Sequence, residues 1–81
     1  MGTSMVVSVK LMAVLRGKLP PGGKASVELE PGATVASLLD KLGIGAAHVH
    51  LVMVNGEMEP DRQRLLKDGD ELTVFPPVAG G

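Results

Sequence analysis

The sequence predicts an α+β fold in which one main helix packs across a mixed sheet of four to five strands. Short apolar segments of strand length lie before and after a single segment with helical periodicity. Glycine, proline, asparagine and aspartate separate these segments. With 81 residues, the chain is long enough for one small core. Phe75 is its only aromatic residue, so that core must be aliphatic.

The first two predicted strands are residues 6–11 and residues 25–30. Both alternate between apolar and polar side chains, which is the period of a half-buried strand. Their inward positions are Val7, Val9, Leu11, Val27 and Leu29. A cluster of prolines and glycines at residues 20–23 can continue neither a helix nor a strand. The two strands are therefore predicted to form a hairpin with a long loop.

The predicted helix begins after Thr34, which is well placed as an N-cap, and stops at Gly43. Apolar residues follow at positions i, i+3, i+4 and i+7. These residues are Val35, Leu38, Leu39 and Leu42. A helix of two to three turns is too short to be stable alone, so we expect it to form by docking on the sheet.

Three further strand segments follow the helix. Residues 51–54 are apolar and end at the turn Asn55-Gly56, and residues 57–59 predict a short strand. The side chains of Leu65 and Leu66 are both expected to pack into the core. The turn Asp68-Gly69-Asp70, interpreted as a turn with surface charge, leads into the last strand, residues 71–75.

In the last strand, Leu72 and Val74 are predicted to face inward and Thr73 and Phe75 outward. The order of strand, strand, helix, strand, short strand and strand is that of the β-grasp fold. Because the last strand leads into an exposed end, the architecture resembles that of ubiquitin.

The last residues contain no charged side chain and cannot build a core. They read Phe75-Pro76-Pro77-Val78-Ala79-Gly80-Gly81. Two prolines hold an extended, stiff path, and residues 76–81 can span about 20 Å. A diglycine end has no Cβ atoms, so it fits a narrow channel. The alternative is that the two glycines are a frayed end or a cloning remnant.

The predicted organisation is a disordered leader at residues 1–4, a β-grasp domain at residues 5–75 and an extended, flexible C-terminal tail at residues 76–81. Pro76, Pro77, Val78, Ala79, Gly80 and Gly81 form this tail.

Composition argues against several classes of partner. The formal net charge is −1 with both signs interspersed, which gives no electrostatic footprint for nucleic acid or an anionic membrane. The chain has no cysteine, which suits a reducing cytoplasm. His48 and His50 lie two residues apart, but without further ligands nearby they are interpreted as solvent-facing rather than as a metal site.

Several motifs, taken in order, resemble the MoaD/ThiS sulfur-carrier family. They are Pro31-Gly32-Ala33-Thr34-Val35 with Leu38-Leu39, Val54-Asn55-Gly56-Glu57, Leu66-Lys67-Asp68-Gly69-Asp70-Glu71-Leu72 and the ending from Phe75 to Gly81. The Pro-Pro pair before the diglycine is more like the small subunit of molybdopterin synthase than the thiamine-pathway carrier. Met12 stands where relatives often have an aromatic residue.

The resemblance implies a carrier that is not an enzyme on its own. A ubiquitin-activating-type adenylyltransferase would use ATP to convert the Gly81 carboxylate to an adenylate, which then becomes a thiocarboxylate. Gly80 would keep the chain narrow beside Gly81, and Pro76-Pro77 would act as a rigid spacer. The sulfur would pass to a pterin precursor in the large subunit of molybdopterin synthase, with no cofactor or metal bound by the carrier itself.

Other functions remain open at this point. The same chemistry serves carriers for thiamine, cysteine or tRNA thiolation. A covalent protein modifier would instead join Gly81 to a lysine of its target. A third class is a passive β-grasp interaction domain.

A partner-docking surface is predicted around Phe75, because aromatic residues and methionines are common anchors at interfaces. Met12 is expected to contribute, with Met53 or Met58. The alternative is that these methionines fill gaps in the core.

Overall fold

The computed structural model describes residues 4–18 and 23–77. Its five strands form one sheet in the order β2-β1-β5-β3-β4. The strands are β1 (Met5–Leu11), β2 (Lys24–Leu29), β3 (Leu51–Val54), β4 (Glu57–Met58) and β5 (Glu71–Phe75), and the helix α1 is Val35–Lys41. Two 3₁₀ helices occupy Ala13–Lys18 and Ala46–His48.

The sheet is mixed, as predicted. β1 pairs with β5 in parallel, whereas the pairs β1 with β2, β3 with β5 and β3 with β4 are antiparallel. With α1 as the one α-helix among the described residues, this arrangement is the β-grasp fold that the element order indicated. β5, the last strand among the described residues, lies at the centre of the sheet.

The core lies on one face of the sheet and is aliphatic. The strand positions predicted to face inward are buried or, at Val27, packed against the core. The helix contributes Val35, Leu38 and Leu39, while Leu42 is only half-buried. We refer to the opposite side of the sheet, which carries Ser8, Lys10, Thr73 and Phe75, as the open face.

The helix ends follow the sequence signals. Thr34 is the N-cap and forms a capping box with Ser37, and Gly43 has a left-handed φ of 74°. The first backbone N–H groups of the helix donate to the chain at residues 62–64 instead of to water. Val35 N donates to Arg64 O at 3.1 Å, and Ala36 N donates to Arg62 O at 2.8 Å. This short helix is thus held by tertiary contacts.

The turn between β3 and β4 has the geometry of a type I′ hairpin. Asn55 and Gly56 have φ values of 53° and 83°, and both residues of such a turn require positive φ. The short strand predicted at residues 57–59 is therefore present, at Glu57–Met58.

The prediction for Leu65-Leu66 is half wrong. Leu66 is buried, but the side chain of Leu65 is 61% exposed. This segment runs extended beside the start of α1, where Thr34 and Leu65 form a bridge and Leu66 N donates to Ala33 O at 2.9 Å. Neighbouring side chains of an extended segment point in opposite directions, so only one of the two leucines can reach the core.

No helix within the described ranges of the chain is long and apolar enough to cross a membrane.

Candidate functional site

The candidate site begins where β5 ends, because the chain continues there into the predicted tail. Both neighbouring strands hold this point. His50 N donates to Phe75 O at 2.8 Å on the side of β3, and Met12 N donates to Val74 O at 3.0 Å on the side of β1. Beyond Phe75, Pro76 is half-buried and Pro77 is exposed. The tail therefore starts from the central strand of the sheet and not from an edge.

Most of the predicted tail lies outside the described residues. Val78, Ala79, Gly80 and Gly81 are not among them, and neither are residues 1–3 of the predicted leader or residues 19–22 of the first long loop. The part of the site that the structure describes is thus the base of the tail and the sheet surface around it.

An apolar patch surrounds the base of the tail on the open face. We define the tail-root patch as Met12, Leu51, Met53, Met58 and Phe75. Phe75 is directly opposite Leu51 in the β5–β3 register, and Met53 is directly opposite Met58 in the β3–β4 register. The β1–β5 register, continued by one residue, places Met12 on the other side of Phe75. The patch therefore extends from the end of β1 across β5 and β3 to β4.

None of the tail-root patch is in the buried core. Phe75, Met12 and Met53 are half-buried, and Met58 is 68% exposed. Half-buried side chains on a solvent-facing sheet keep apolar area available for a partner. The structure thus brings together the residues that were predicted to surround the tail, although their role in docking stays a prediction.

Leu51 belongs to the patch but was not predicted as part of it. All four residues of β3 are apolar, so the alternation that separates the two faces of a strand is invisible in the sequence. In the structure, Val52 and Val54 are buried while Leu51 and Met53 are half-buried. A polar residue at position 51 or 53 would have shown which side chains of β3 face the core.

The opposite end of β5 is fixed by a buried carboxylate. Asp70, interpreted from the sequence as surface charge, is only 6% exposed, so that interpretation was wrong. Its Oδ1 accepts from Asn55 Nδ2 at 2.9 Å, and its Oδ2 accepts from the backbone N–H of Lys67 at 2.8 Å. Asn55 Oδ1 in turn accepts from Glu71 N at 2.9 Å. These bonds join the β3–β4 turn to the first residue of β5.

Burial by itself would raise the pKa of Asp70, but its partners outweigh that effect. The hydrogen bonds from the Asn55 amide and the Lys67 backbone, with the nearby charges of Arg64 and Lys67, hold the pKa of Asp70 below its usual value. Asp70 is therefore ionised at neutral pH, and its hydrogen bonds connect the β3–β4 turn to the start of β5.

The two histidines near the base of the tail, His48 and His50, are both exposed, as predicted. Among residues 4–18 and 23–77, no group of three or more histidine, cysteine, aspartate or glutamate side chains is placed to hold a metal ion. The described part of the site is therefore the apolar surface at the base of the predicted tail.

Comparison with known proteins matches the chain to a family and to solved folds. A model of the ThiS family matches residues 9–81. The molybdopterin synthase sulfur carrier subunit of Drosophila melanogaster is 32% identical over 65 residues, which cover 72% of this chain and 72% of that protein.

Two solved structures extend the comparison. A protein from Pyrococcus furiosus, named as molybdopterin converting factor subunit 1, has a TM-score of 0.72 and 30% identity, covering 91% of this chain and 99% of its own. Small archaeal modifier protein 1 of Haloferax volcanii has a TM-score of 0.74 and 28% identity, with coverage of 91% and 99%.

Proposed function

The chain belongs to the ThiS family, and on that premise we propose that it is a sulfur carrier whose C-terminal Gly81 is converted to a thiocarboxylate for the synthesis of molybdopterin. In this role it would be the small subunit of molybdopterin synthase and not a catalyst by itself. The similarity to a molybdopterin synthase sulfur carrier subunit and to a molybdopterin converting factor subunit 1 supports this choice of pathway.

The proposed chemistry starts from a poor electrophile. An oxygen of the Gly81 carboxylate attacks the α-phosphorus of ATP, and pyrophosphate leaves to give an acyl-adenylate. Sulfide then attacks the acyl carbon, the C–O bond to AMP breaks, and AMP carries away the negative charge. The product is a thiocarboxylate, which can pass its sulfur to an acceptor while the oxygen of water restores the carboxylate. The adenylyltransferase that binds ATP supplies the catalytic groups.

One observation carries the proposal. In a chain of this family, the central strand β5 runs directly into Pro76-Pro77 and the terminal diglycine. A chain end that starts from the middle of a five-stranded sheet has a fixed origin, while the prolines limit the conformational entropy lost when a partner orders the tail. A contour of about 20 Å lets residues 76–81 reach a recessed pocket.

Two partners follow from this chemistry. A ubiquitin-activating-type adenylyltransferase would activate the tail, and the large subunit of molybdopterin synthase would accept the sulfur. Both partner proteins need to bind the folded domain while the tail enters their active sites. The tail-root patch, with Phe75 beside the base of the tail, is the surface that we assign to this contact.

The test is a mass measurement on the intact chain. Incubation with ATP, sulfide and the adenylyltransferase of the same organism should raise the mass by about 16 Da, the difference between sulfur and oxygen. A variant with one alanine added after Gly81 is the matched control and should keep its original mass. A wild-type chain that never gains sulfur under these conditions would refute the proposal.

A second candidate is a covalent protein modifier, which the similarity to small archaeal modifier protein 1 favours. The same adenylate would then react with the amine of a target lysine, forming an isopeptide bond and releasing AMP. Expression of a tagged chain in its own cells separates the two candidates. Conjugates of high mass that resist thiol reagents would support the modifier, whereas a free chain bearing a thiocarboxylate supports the carrier.

A further inference from the structure

Two lysines lie directly opposite each other on the open face. The β1–β2 register pairs Lys10 with Lys24, and both residues are exposed. The same register row continues through Thr73 and Met53 to Met58. The sheet surface therefore changes from cationic on β2 and β1 to apolar on β3 and β4 within one row.

This pairing is unfavourable for the isolated protein. Cβ atoms of directly opposite residues are about 4.5–5.5 Å apart, and like charges in such positions destabilise a sheet. Within the described parts of the chain, neither lysine forms an ion pair, since the one salt bridge there joins Arg64 to Glu59. Glu71, an acidic residue on the open face, lies diagonal to Lys10, next to Ser8.

The lysines line a shallow groove along β2, β1 and β5. Its volume is about 480 Å³, and its polar lining comes from Ser8, Lys10, Lys24, Ser26, Glu71 and Thr73. The groove has room for a side chain of a docked protein. It borders the tail-root patch at Thr73, so one partner can cover both surfaces.

We propose that Lys10 and Lys24 form a carboxylate-binding site on the docking surface. This site binds an acidic side chain of the large subunit that accepts the sulfur. This inference rests on the proposed function, because it assumes that the large subunit docks on the open face. The partner's carboxylate lies between the two ammonium groups and relieves their repulsion. The partner surface that fits is apolar opposite Phe75 and acidic opposite β1 and β2.

The proposal predicts opposite effects on stability and on binding. Lys24→Glu replaces a repulsive cross-strand pair with an attractive one, so the melting temperature of the free chain should rise by about 1–8 °C. The same variant should associate with the large subunit at least about five times more slowly at low salt, because the partner's carboxylate now meets a like charge. The difference should shrink in 1 M salt, where the Debye length is about 3 Å.

Lys41→Glu is the matched control. It makes the same change in net charge on α1, an exposed position on the other side of the sheet. Association kinetics with the large subunit of the same organism should be measured for both variants and the wild type. We expect the control to bind as fast as the wild type.

The outcomes distinguish this inference from the function on which it rests. If the wild type binds but Lys24→Glu binds equally fast, or Lys41→Glu slows binding as much, the proposed carboxylate-binding site is refuted and the carrier function stands. An unchanged melting temperature for Lys24→Glu would refute the repulsive pair. If the wild type neither binds the large subunit nor gains sulfur, both the proposed function and the proposed carboxylate-binding site are refuted.

Discussion

Replacing Asp70 with asparagine should destabilise the fold, although the two side chains have almost the same shape. Each carboxylate oxygen of Asp70 accepts one hydrogen bond, from the Asn55 amide and from the Lys67 backbone N–H. Asparagine has one oxygen and one NH₂ group, so one of these donors would face another donor. Asn55 cannot turn its amide to compensate, because its own oxygen accepts from Glu71 N.

The magnitude follows from these contacts. Loss of a partner for a buried polar group costs about 1–3 kcal/mol, and bonds to a charged acceptor are among the stronger ones. Because Asn55 and Lys67 are exposed, water can reach the donors, so we expect the lower part of this range, about 1–2 kcal/mol. For a domain of this size, that corresponds to a fall in melting temperature of about 4–16 °C.

The pH dependence gives a second, independent signature. The pKa of Asp70 is lower in the folded state, so its contribution is fully present above the unfolded pKa, near 3.9, and is lost as the pH falls through the folded pKa. The stability difference between wild type and Asp70→Asn should therefore be constant near neutral pH. It should shrink below about pH 4.

Urea unfolding at several pH values measures both effects. Asp40→Asn, at an exposed position on α1, is the control and should change the free energy of unfolding by less than about 0.5 kcal/mol. Asn55→Gly, which keeps the positive φ, completes a double-mutant cycle with Asp70→Asn, and the two changes should be strongly non-additive. Equal stability of wild type and Asp70→Asn at pH 7, or a difference that stays constant as the pH falls below about 4, would refute the reasoning.

Three further substitutions test the core, the helix cap and the docking surface. Leu38→Ala, at a fully buried position of α1, should cost about 2–5 kcal/mol in urea unfolding, whereas Leu65→Ala at the exposed neighbour of Leu66 should stay within about 0.5 kcal/mol; similar values for both would contradict the assigned core. Thr34→Ala removes the capping box and should lower stability by about 1 kcal/mol, and a cost below about 0.3 would show that the segment beside the helix suffices. Phe75→Ala should weaken binding to the molybdopterin synthase large subunit by about tenfold or more in calorimetry, with Leu65→Ala as the control; unchanged affinity would remove Phe75 from the docking surface.

The fold could be predicted because each element carries a local signal. The alternation of Val7, Val9 and Leu11 predicts a half-buried strand without information about its neighbours. Thr34 and Gly43 mark the two ends of the helix through backbone groups within a few residues of themselves. Such signals act over one turn or one strand, so they are legible in a single sequence.

Parts of the site were not predictable, because they depend on which distant residues become neighbours. The tie between Asn55 and Asp70 joins two turns 15 residues apart, and nothing local distinguishes Asp70 from the exposed Asp68. The phase of β3, which puts Leu51 on the open face, is hidden by its uniform apolarity. The choice of Leu66 over Leu65 for the core depends on how residues 62–66 run beside α1.

By itself, the sequence determined the β-grasp order and the aliphatic core, and it predicted a chain end suited to activation, because periodicity, turn residues and side-chain size are local properties. Only the tertiary structure decided that the tail starts from the central strand, that Met12 and Leu51 flank Phe75, and that Lys10 faces Lys24. Strand order and register are set by the summed packing of the whole sheet. A surface assembled from four strands therefore exists only once those strands are paired.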